Sequence, residues 1–278
     1  MTRTQSWIHA IRLYSFTTTL LPMLMGFAFC PQWDWVLATL IILSVFVTHA
    51  GTNMINDYYD YIYGVDQIHT RGSSRVLVNK QLSPLAVRNV SWGCFVVGAL
   101  AGLAVVFYTR RYELLLFGIF AVLTCFFYSS TKFQLKRRGL GDIGVLICTG
   151  PLITVGIYYA QTGQWDPWVC VAGLIPGLLA VDVLHTNNLR DVASDKIAGL
   201  WNIAHSRWGV AYWWMILALA YGVQIVLIWN QKLSVYTLLT LLLPLIIHPR
   251  VSIEKMALGH LLFNSIVVFF LFFDKIFA

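Results

Sequence analysis

Long apolar segments constrain this chain more than any other feature of its sequence. They follow one another along its 278 residues at about 13–30, 35–55, 89–108, 113–129, 143–160, 168–186, 209–229, 234–248 and 257–276. A helix needs about 20 apolar residues to cross the hydrocarbon of a bilayer. Only helices and closed barrels satisfy their backbone hydrogen bonds there. The sequence therefore predicts an all-α, polytopic membrane protein of about nine transmembrane helices, in a single domain over residues 1–278.

Composition excludes a water-soluble fold. Hydrophobic residues make up 58% of the chain and charged residues 11%, whereas soluble domains contain roughly 25% charged residues. Aromatic residues reach 15%, which is typical of a protein that anchors itself at two bilayer interfaces.

The basic residues predict the orientation. If the N-terminus lies inside, 15 of the 19 Lys and Arg residues fall on the inner side and 4 on the outer side. Positive residues accumulate in cytoplasmic loops, so the segments 57–84, 129–142 and 187–208 are predicted to be cytoplasmic. The net charge of +7 is explained by this asymmetry, and it gives no reason to expect a nucleic-acid partner.

Two acidic segments follow apolar spans on the predicted inner side. The first contains Asn53, Asp57 and Asp60, and the second contains Asn187 and Asp191 followed by Asp195. Both contain the pattern Thr-Asn-x-x-x-Asp, and the two copies lie 134 residues apart. This spacing indicates a weak internal repeat in which each half of the chain delivers one acidic helix end to a shared site.

Helical spacing gives these acids a common face. If the spans continue as helices, Asn53 and Asp57 lie one turn apart, and so do Asp191 and Asp195. Carboxylates stacked in this way repel one another unless a divalent cation joins them, and oxygen ligands with amide support suit Mg²⁺. The alternative is that they are solvated residues at span ends. Asp182 lies deeper and is either functional or paired with a neighbouring His or Lys.

These motifs resemble those of the UbiA superfamily of intramembrane aromatic prenyltransferases. The family pattern Asn-x-x-x-Asp-x-x-Asp is present from Asn53 to Asp60, with Gly64 and Asp66 after it. The second pattern, Asn-Asn-x-Arg-Asp-x-x-x-Asp, is present from Asn187 to Asp195. The sequence most resembles the 1,4-dihydroxy-2-naphthoate polyprenyltransferases of menaquinone synthesis.

The resemblance implies a function and a set of site residues. It implies Mg²⁺-dependent transfer of a prenyl group from an isoprenoid diphosphate to an aromatic acceptor, by an enzyme in the bacterial plasma membrane whose site faces the cytoplasm. The implied catalytic and metal-binding residues are Asp57, Asp60, Asp191 and Asp195. The implied substrate-binding residues are Asn53, Arg71, Arg75, Tyr128, Lys132, Asn187, Asn188 and Arg190.

Three departures from the family pattern leave the acceptor open. Near the first span the family has Arg-Pro, whereas this chain has Arg12-Leu13. Before Arg75 the family has Gly-Pro, whereas this chain has Gly72-Ser73-Ser74. After the second motif the family has Gly-Lys-x-Thr-Leu, and a different sequence stands here from Gly199 onward. The alternatives are another aromatic acceptor, such as 4-hydroxybenzoate, or a cation-coupled secondary transporter. Transporter sites lie near the bilayer midplane, whereas the paired acids here flank span ends.

Overall fold

The computed structural model describes residues 1–66, 74–129, 135, 139–197, 199, 201–245 and 253–277. The fold over these residues is all-α, as predicted. The α-helices are α1 Arg3–Ile11, α2 Thr17–Phe29, α3 Trp35–Ile62, α4 Pro84–Thr109, α5 Leu114–Ser129, α6 Gly141–Cys148, α7 Pro151–Thr162, α8 Pro167–Ile197, α9 Gly209–Trp229 and α10 Ile253–Phe277. Segments of 3₁₀ helix cover Leu13–Phe16, Ile203–His205 and Val235–Leu245.

Five stretches of the described chain are long and apolar enough to cross a membrane. They are Trp35–Ile62, Pro84–Thr109, Gly141–Thr162, Pro167–Ala193 and Gly209–Trp229. Shorter apolar helices cover Leu114–Tyr128 and Leu258–Phe273. These findings support a membrane-embedded helical bundle, but they do not confirm the predicted count of nine crossings.

The eighth predicted span is a 3₁₀ helix, Val235–Leu245, rather than an α-helix. Polar side chains of α9 explain how its backbone is tolerated. Gln224 Nε2 donates to the carbonyl of Thr237 at 2.8 Å, and the Tyr221 hydroxyl donates to the carbonyl of Thr240 at 2.6 Å. These bonds hold the 3₁₀ segment against α9 and give the two buried carbonyl oxygens side-chain donors.

The fifth predicted span is two helices, because the chain breaks between α6 and α7 at Gly150. Gly150 has φ −127° and ψ −105°, and the next residue, Pro151, begins α7. A Cβ on Gly150 would lie 2.6 Å from the carbonyl oxygen of Gly173 and 2.7 Å from the Cα of Gly177. The break therefore lies directly against the backbone of α8, a close approach of the kind that small residues permit between membrane helices.

Helix α8 is the centre of the bundle. It contacts α2, α6, α7, α9 and α10, and its buried Ala172, Ile175 and Leu179 pack with Trp213 of α9 and Phe263 of α10 in the largest hydrophobic cluster. The position of α8 is therefore fixed from several sides.

Hydrogen bonds tie α3, α4 and α7 together at the end of the bundle where α3 begins. Asp34 caps α3 by accepting from the Leu37 N–H at 3.0 Å, and it accepts from the Tyr108 hydroxyl at 2.7 Å. These two donors hold the pKa of Asp34 below its ordinary value. Gln161 of α7 accepts from the backbone N–H of Asp34 at 2.9 Å. The acidic motif of α3 lies at the opposite end of that helix.

Helices α3 and α8 are longer than a bilayer requires. Their 28 and 31 residues correspond to about 42 and 46 Å, given a rise of about 1.5 Å per residue. The hydrocarbon is about 30 Å thick. The last turns of both helices therefore project beyond the apolar region, and these turns carry the two acidic motifs.

Candidate active site

The two acidic motifs lie on continuous helices, as the spacing argument required. Asn53, Asp57 and Asp60 belong to the last turns of α3, and Asn187 to Asp195 belong to the last turns of α8. Each motif therefore presents its polar groups one turn apart.

A cavity of about 400 Å³ lies between these helix ends. Residues from both acidic motifs and from the segments around α1, α5, α6 and α9 line it. Its wall comprises Arg12, Tyr14, Asn56, Asp60, Val65, Asp66, Tyr128, Gly139, Gly141, Asp142, Leu184, Asn187, Asn188, Arg190, Asp191, Asp195, Trp201, Asn202, Ile203 and Tyr212.

Most of the predicted site residues with a described position line this one cavity. Those in its wall are Asp60, Tyr128, Asn187, Asn188, Arg190, Asp191 and Asp195. Asn53, Asp57 and Arg75 are not in the described wall. Arg71 and Lys132 lie outside the described residues.

Asp57 is buried behind the cavity, with its side chain 2% exposed. An ion pair joins its Oδ1 to Nη2 of Arg12, and the Ser74 hydroxyl donates to its Oδ2. Burial of the guanidinium acts to lower the pKa of Arg12, but Asp57 together with Tyr14, Asp66 and Asp60 outweighs this effect, so the pKa of Arg12 stands above its ordinary value. The first motif is thus tied to the N-terminal segment by a partly buried ion pair.

Asn53 has a structural contact in the same region. Its Nδ2 donates to the carbonyl oxygen of Ile11 at 2.8 Å and to the Ser15 hydroxyl at 2.9 Å. These bonds hold the junction between α1 and the following 3₁₀ turn against α3. Arg12 lies between α1 and this 3₁₀ turn, so Asn53 helps to hold Arg12 beside the cavity.

In the second motif, Arg190 pairs with the adjacent Asp191. Arg190 Nε donates to Asp191 Oδ1 at 2.7 Å, and Nη2 of the same guanidinium pairs with Oδ2. Both residues line the cavity. Asp191 is 14% exposed, so its carboxylate is accessible from the cavity.

Several cavity residues were not among the predicted site residues. Tyr212 of α9 donates its hydroxyl to Asp142 Oδ2 at 2.9 Å, and Asn56 and Arg12 complete the wall near the first motif. Asn56 lies inside that motif and could have been found from it. Arg12 could have been found from its match to the arginine of the family's Arg-Pro. Tyr212 carries no local signal, because only tertiary packing brings it to the cavity.

Asp182 does not line the described cavity wall, and it is paired with a histidine. It is fully buried, and its Oδ2 lies 3.0 Å from Nε2 of His260, which is 2% exposed. Of the two sequence-based alternatives for Asp182, the structure therefore supports pairing with a neighbouring His.

The donor chemistry of the cavity suits a hard divalent cation. Among the described residues, no three His, Cys, Asp or Glu side chains gather closely enough to hold a metal ion. However, the acids and amides of the wall offer only oxygen ligands, which Mg²⁺ prefers together with substrate phosphates. Asn56 Oδ1 is shielded from solvent and has no hydrogen-bond partner in the described part of the chain, so a cation would satisfy it.

Comparison with known sequences identifies the class of protein. The model of the UbiA prenyltransferase family matches residues 18–271. The chain therefore belongs to the UbiA prenyltransferase family, whose members are membrane-embedded transferases, and it is an integral membrane protein.

Named relatives and solved structures agree with this assignment. The UbiA prenyltransferase domain-containing protein 1 of Rattus norvegicus is 30% identical over 205 residues, covering 72% of this chain and 60% of the relative. A homolog from Drosophila melanogaster is 31% identical over 72% of this chain and 57% of its own length. The chain thus spans about three fifths of the length of these relatives.

The fold is shared with a UbiA homolog from Archaeoglobus fulgidus whose structure was solved bound to GPP and Mg²⁺. Its TM-score is 0.68 at 18% identity, covering 98% of this chain and 100% of that chain. The same homolog bound to DMAPP and Mg²⁺ gives a TM-score of 0.64 at 17% identity. At these identities the comparison establishes the fold.

Proposed function

We propose that this chain transfers a prenyl group from an isoprenoid diphosphate to an aromatic acceptor in a Mg²⁺-dependent reaction. The observation that carries the proposal is the single cavity in which both acidic motifs meet. Family membership and the ligands of the Archaeoglobus fulgidus homolog support the same chemistry. The proposed protein is one membrane domain over residues 1–278 with about nine crossings.

The acids of the two motifs are the proposed metal ligands. We assign Asp57 and Asp60 of α3 together with Asp191 and Asp195 of α8. When bound, Mg²⁺ would neutralise the diphosphate and weaken its bond to the prenyl carbon as a Lewis acid. Asn187 and Asn188 offer amide oxygens in the same wall. Asn53 is proposed as a substrate-binding residue, and its bonds to Ile11 and Ser15 also hold α3 against the N-terminal segment.

Basic residues around the cavity are proposed to hold the diphosphate oxygens. Arg190 lies in the described wall, and its planar guanidinium can donate two parallel hydrogen bonds to a phosphate. Arg71, Arg75 and Lys132 are proposed to complete this set from the loops after α3 and α5. Together these residues would retain the leaving group while the prenyl carbon reacts.

The prenyl chain can extend along α5 from the cavity. Tyr128 of α5 lines the cavity, and Phe120, Leu123, Thr124 and Phe127 on the preceding turns line an apolar groove of about 480 Å³ with Leu135. An isoprenoid tail is compatible with this surface and with the surrounding lipid. The aromatic face of Tyr128 can also stabilise the allylic cation through its ring quadrupole.

Attack by an electron-rich aromatic ring completes the proposed reaction. The ring forms a carbon–carbon bond to the prenyl cation, and its displaced proton passes to a carboxylate or phosphate oxygen. Asp142, held by Tyr212 at 2.9 Å, is a carboxylate of the cavity wall that can accept it. We propose 1,4-dihydroxy-2-naphthoate or a similar acceptor, in quinone synthesis at the cytoplasmic face of a bacterial inner membrane.

Product identification tests the proposed function. Membranes that contain the chain are incubated with labelled geranyl diphosphate, Mg²⁺ and, separately, 1,4-dihydroxy-2-naphthoate and 4-hydroxybenzoate. We expect a prenylated aromatic product from one of these acceptors, identified by mass spectrometry, and one diphosphate released per product. Absence of prenylated product with every acceptor, in membranes where the chain is folded, would contradict the proposal.

The proposed orientation can be tested with a matched pair of cysteine substitutions. Asn79 and Asn230 are exposed and lie at opposite ends of the bundle. In a cysteine-free background, we expect Asn79→Cys to react with a membrane-impermeant maleimide only from the cytoplasmic side. Asn230→Cys should react only from the other side. The reverse pattern would place the cavity on the outer face and overturn the orientation.

A further inference from the structure

Both oxygens of the Asp57 carboxylate are already engaged by donors of the protein. Arg12 pairs with Oδ1, and the Ser74 hydroxyl donates to Oδ2. Both donors lie beside departures from the family pattern: Leu13 follows Arg12 in place of proline, and Ser74 belongs to the sequence Gly72-Ser73-Ser74 that replaces the family's Gly-Pro. Asp57 is proposed as a metal ligand, but in this state protein donors occupy both of its carboxylate oxygens.

The backbone of Arg12 is held in place while its side chain reaches the cavity. Its φ of 51° and ψ of 58° are left-handed, a conformation that is unfavourable for a residue with a Cβ. Its N–H donates to the carbonyl of His9 at 3.1 Å, and its carbonyl accepts from the Ser15 hydroxyl at 2.8 Å. Any rearrangement at Arg12 is thus confined to the side chain.

One N–H donor of the Arg12 guanidinium, at Nε, makes no hydrogen bond within the described residues. This Nε is shielded from solvent, while the side chain as a whole is 20% exposed and lines the cavity. A buried donor without an acceptor is unfavourable. An anion in the cavity would supply that acceptor, and phosphate oxygens match the planar fork of arginine.

We propose that Arg12 is a counter-ion switch of the diphosphate site, an inference that rests on the proposed function. Arg12 neutralises Asp57 in the state without metal. When a divalent cation binds Asp57, the positive charge of the cation repels the guanidinium of Arg12. The guanidinium then turns away from the carboxylate and donates to an oxygen of the prenyl diphosphate. Arg12 thus competes with the metal and cooperates with the substrate.

The switch predicts changes of opposite sign for Arg12→Gln. Removal of the competing charge strengthens binding of the metal alone, while loss of the donor fork weakens binding of the diphosphate. We expect changes of about tenfold in each dissociation constant, within the range usual for coupling between sites. An arginine that only supports the fold would weaken both affinities when it is replaced.

Binding measurements on the purified full-length chain test this directly. Mn²⁺ is titrated without substrate and followed by electron paramagnetic resonance, and geranyl diphosphate is then titrated at saturating Mn²⁺. For Arg12→Gln we expect the Kd for Mn²⁺ to fall and the Kd for geranyl diphosphate to rise. Arg3→Gln, an exposed substitution in α1, is the matched control and should change neither constant.

Arg12→Lys keeps the proposal testable if Arg12→Gln does not fold, because it avoids an unpaired buried carboxylate. Lysine retains the competing charge but lacks the fork, so the Kd for Mn²⁺ should stay near the wild-type value while the Kd for geranyl diphosphate rises. Weaker Mn²⁺ binding in Arg12→Gln, or unchanged diphosphate affinity in either variant, would overturn the switch. Failure of the wild-type chain to bind both Mn²⁺ and geranyl diphosphate would instead overturn the proposed function.

Discussion

Replacement of Asp191 by Asn is expected to lower turnover by about 10²-fold or more, which corresponds to about 2.7 kcal/mol of lost transition-state stabilisation. Asn preserves the size of the side chain, but it can accept only one of the two hydrogen bonds that Arg190 donates to Asp191, and it removes one negative charge from the cavity wall. If Asp191 holds the metal against the departing diphosphate, the lost interaction acts mainly in the transition state. Steady-state kinetics in detergent or nanodiscs measures the effect.

Asp166→Asn is the matched control for this substitution. Asp166 accepts from the Trp168 N–H at 2.8 Å at the start of α8, at the far end of the same helix from Asp191. Asn caps a helix nearly as well as Asp, so turnover should not change. Equal, small effects at Asp191 and Asp166, with both proteins folded, would mean that Asp191 takes no part in the reaction.

Removal of divalent cations is expected to reduce activity by at least about 10³-fold, because a bound metal ion contributes several kcal/mol to the neutralisation of developing charge. The cavity wall contains Asp60, Asp66, Asp191 and Asp195, and a bound divalent cation would neutralise several of these carboxylates at once. Activity is measured after dialysis against EDTA and again after Mg²⁺ is restored. We expect full recovery with Mg²⁺ and none with Na⁺.

The metal-removal experiment includes its own check on folding. Thermal melting of the stripped protein should remain cooperative, because the large cluster around α8 contains no proposed metal ligand. Full turnover in EDTA-treated membranes would contradict the metal-diphosphate account. Loss of activity that Mg²⁺ does not restore, in protein that still melts cooperatively, would contradict this account as well.

The sequence was sufficient to predict the helical class and the meeting of the two motifs. The position of three acids in one cavity wall, Asp60, Asp191 and Asp195, was predictable. Helix periodicity places residues one turn apart on one face, and the helices do continue through both motifs. The repeated pattern at a distance of 134 residues indicated a shared site. These inferences depend only on local geometry and on the direction of each helix.

Other features depend on tertiary contacts and left no local signal. The ion pair between Arg12 and Asp57 joins residues 45 positions apart, and the pattern around Asp57 alone suggests an accessible ligand rather than a buried one. The break at Gly150 depends on its approach to α8. The 3₁₀ form of Val235–Leu245 depends on donors from α9, so its apolar sequence predicted an ordinary span.

The most direct test of the account is whether metal and diphosphate bind together between the two acidic motifs. Mn²⁺ and a non-hydrolysable geranyl diphosphate analogue are bound to the purified chain, and the magnetic coupling between Mn²⁺ and ³¹P is measured by electron–nuclear double resonance. We expect a strong ³¹P coupling in the wild-type chain, little or none in Asp191→Asn, and an unchanged coupling in Asp166→Asn. A bound analogue without ³¹P coupling to Mn²⁺, or a coupling undiminished in Asp191→Asn, would contradict the account.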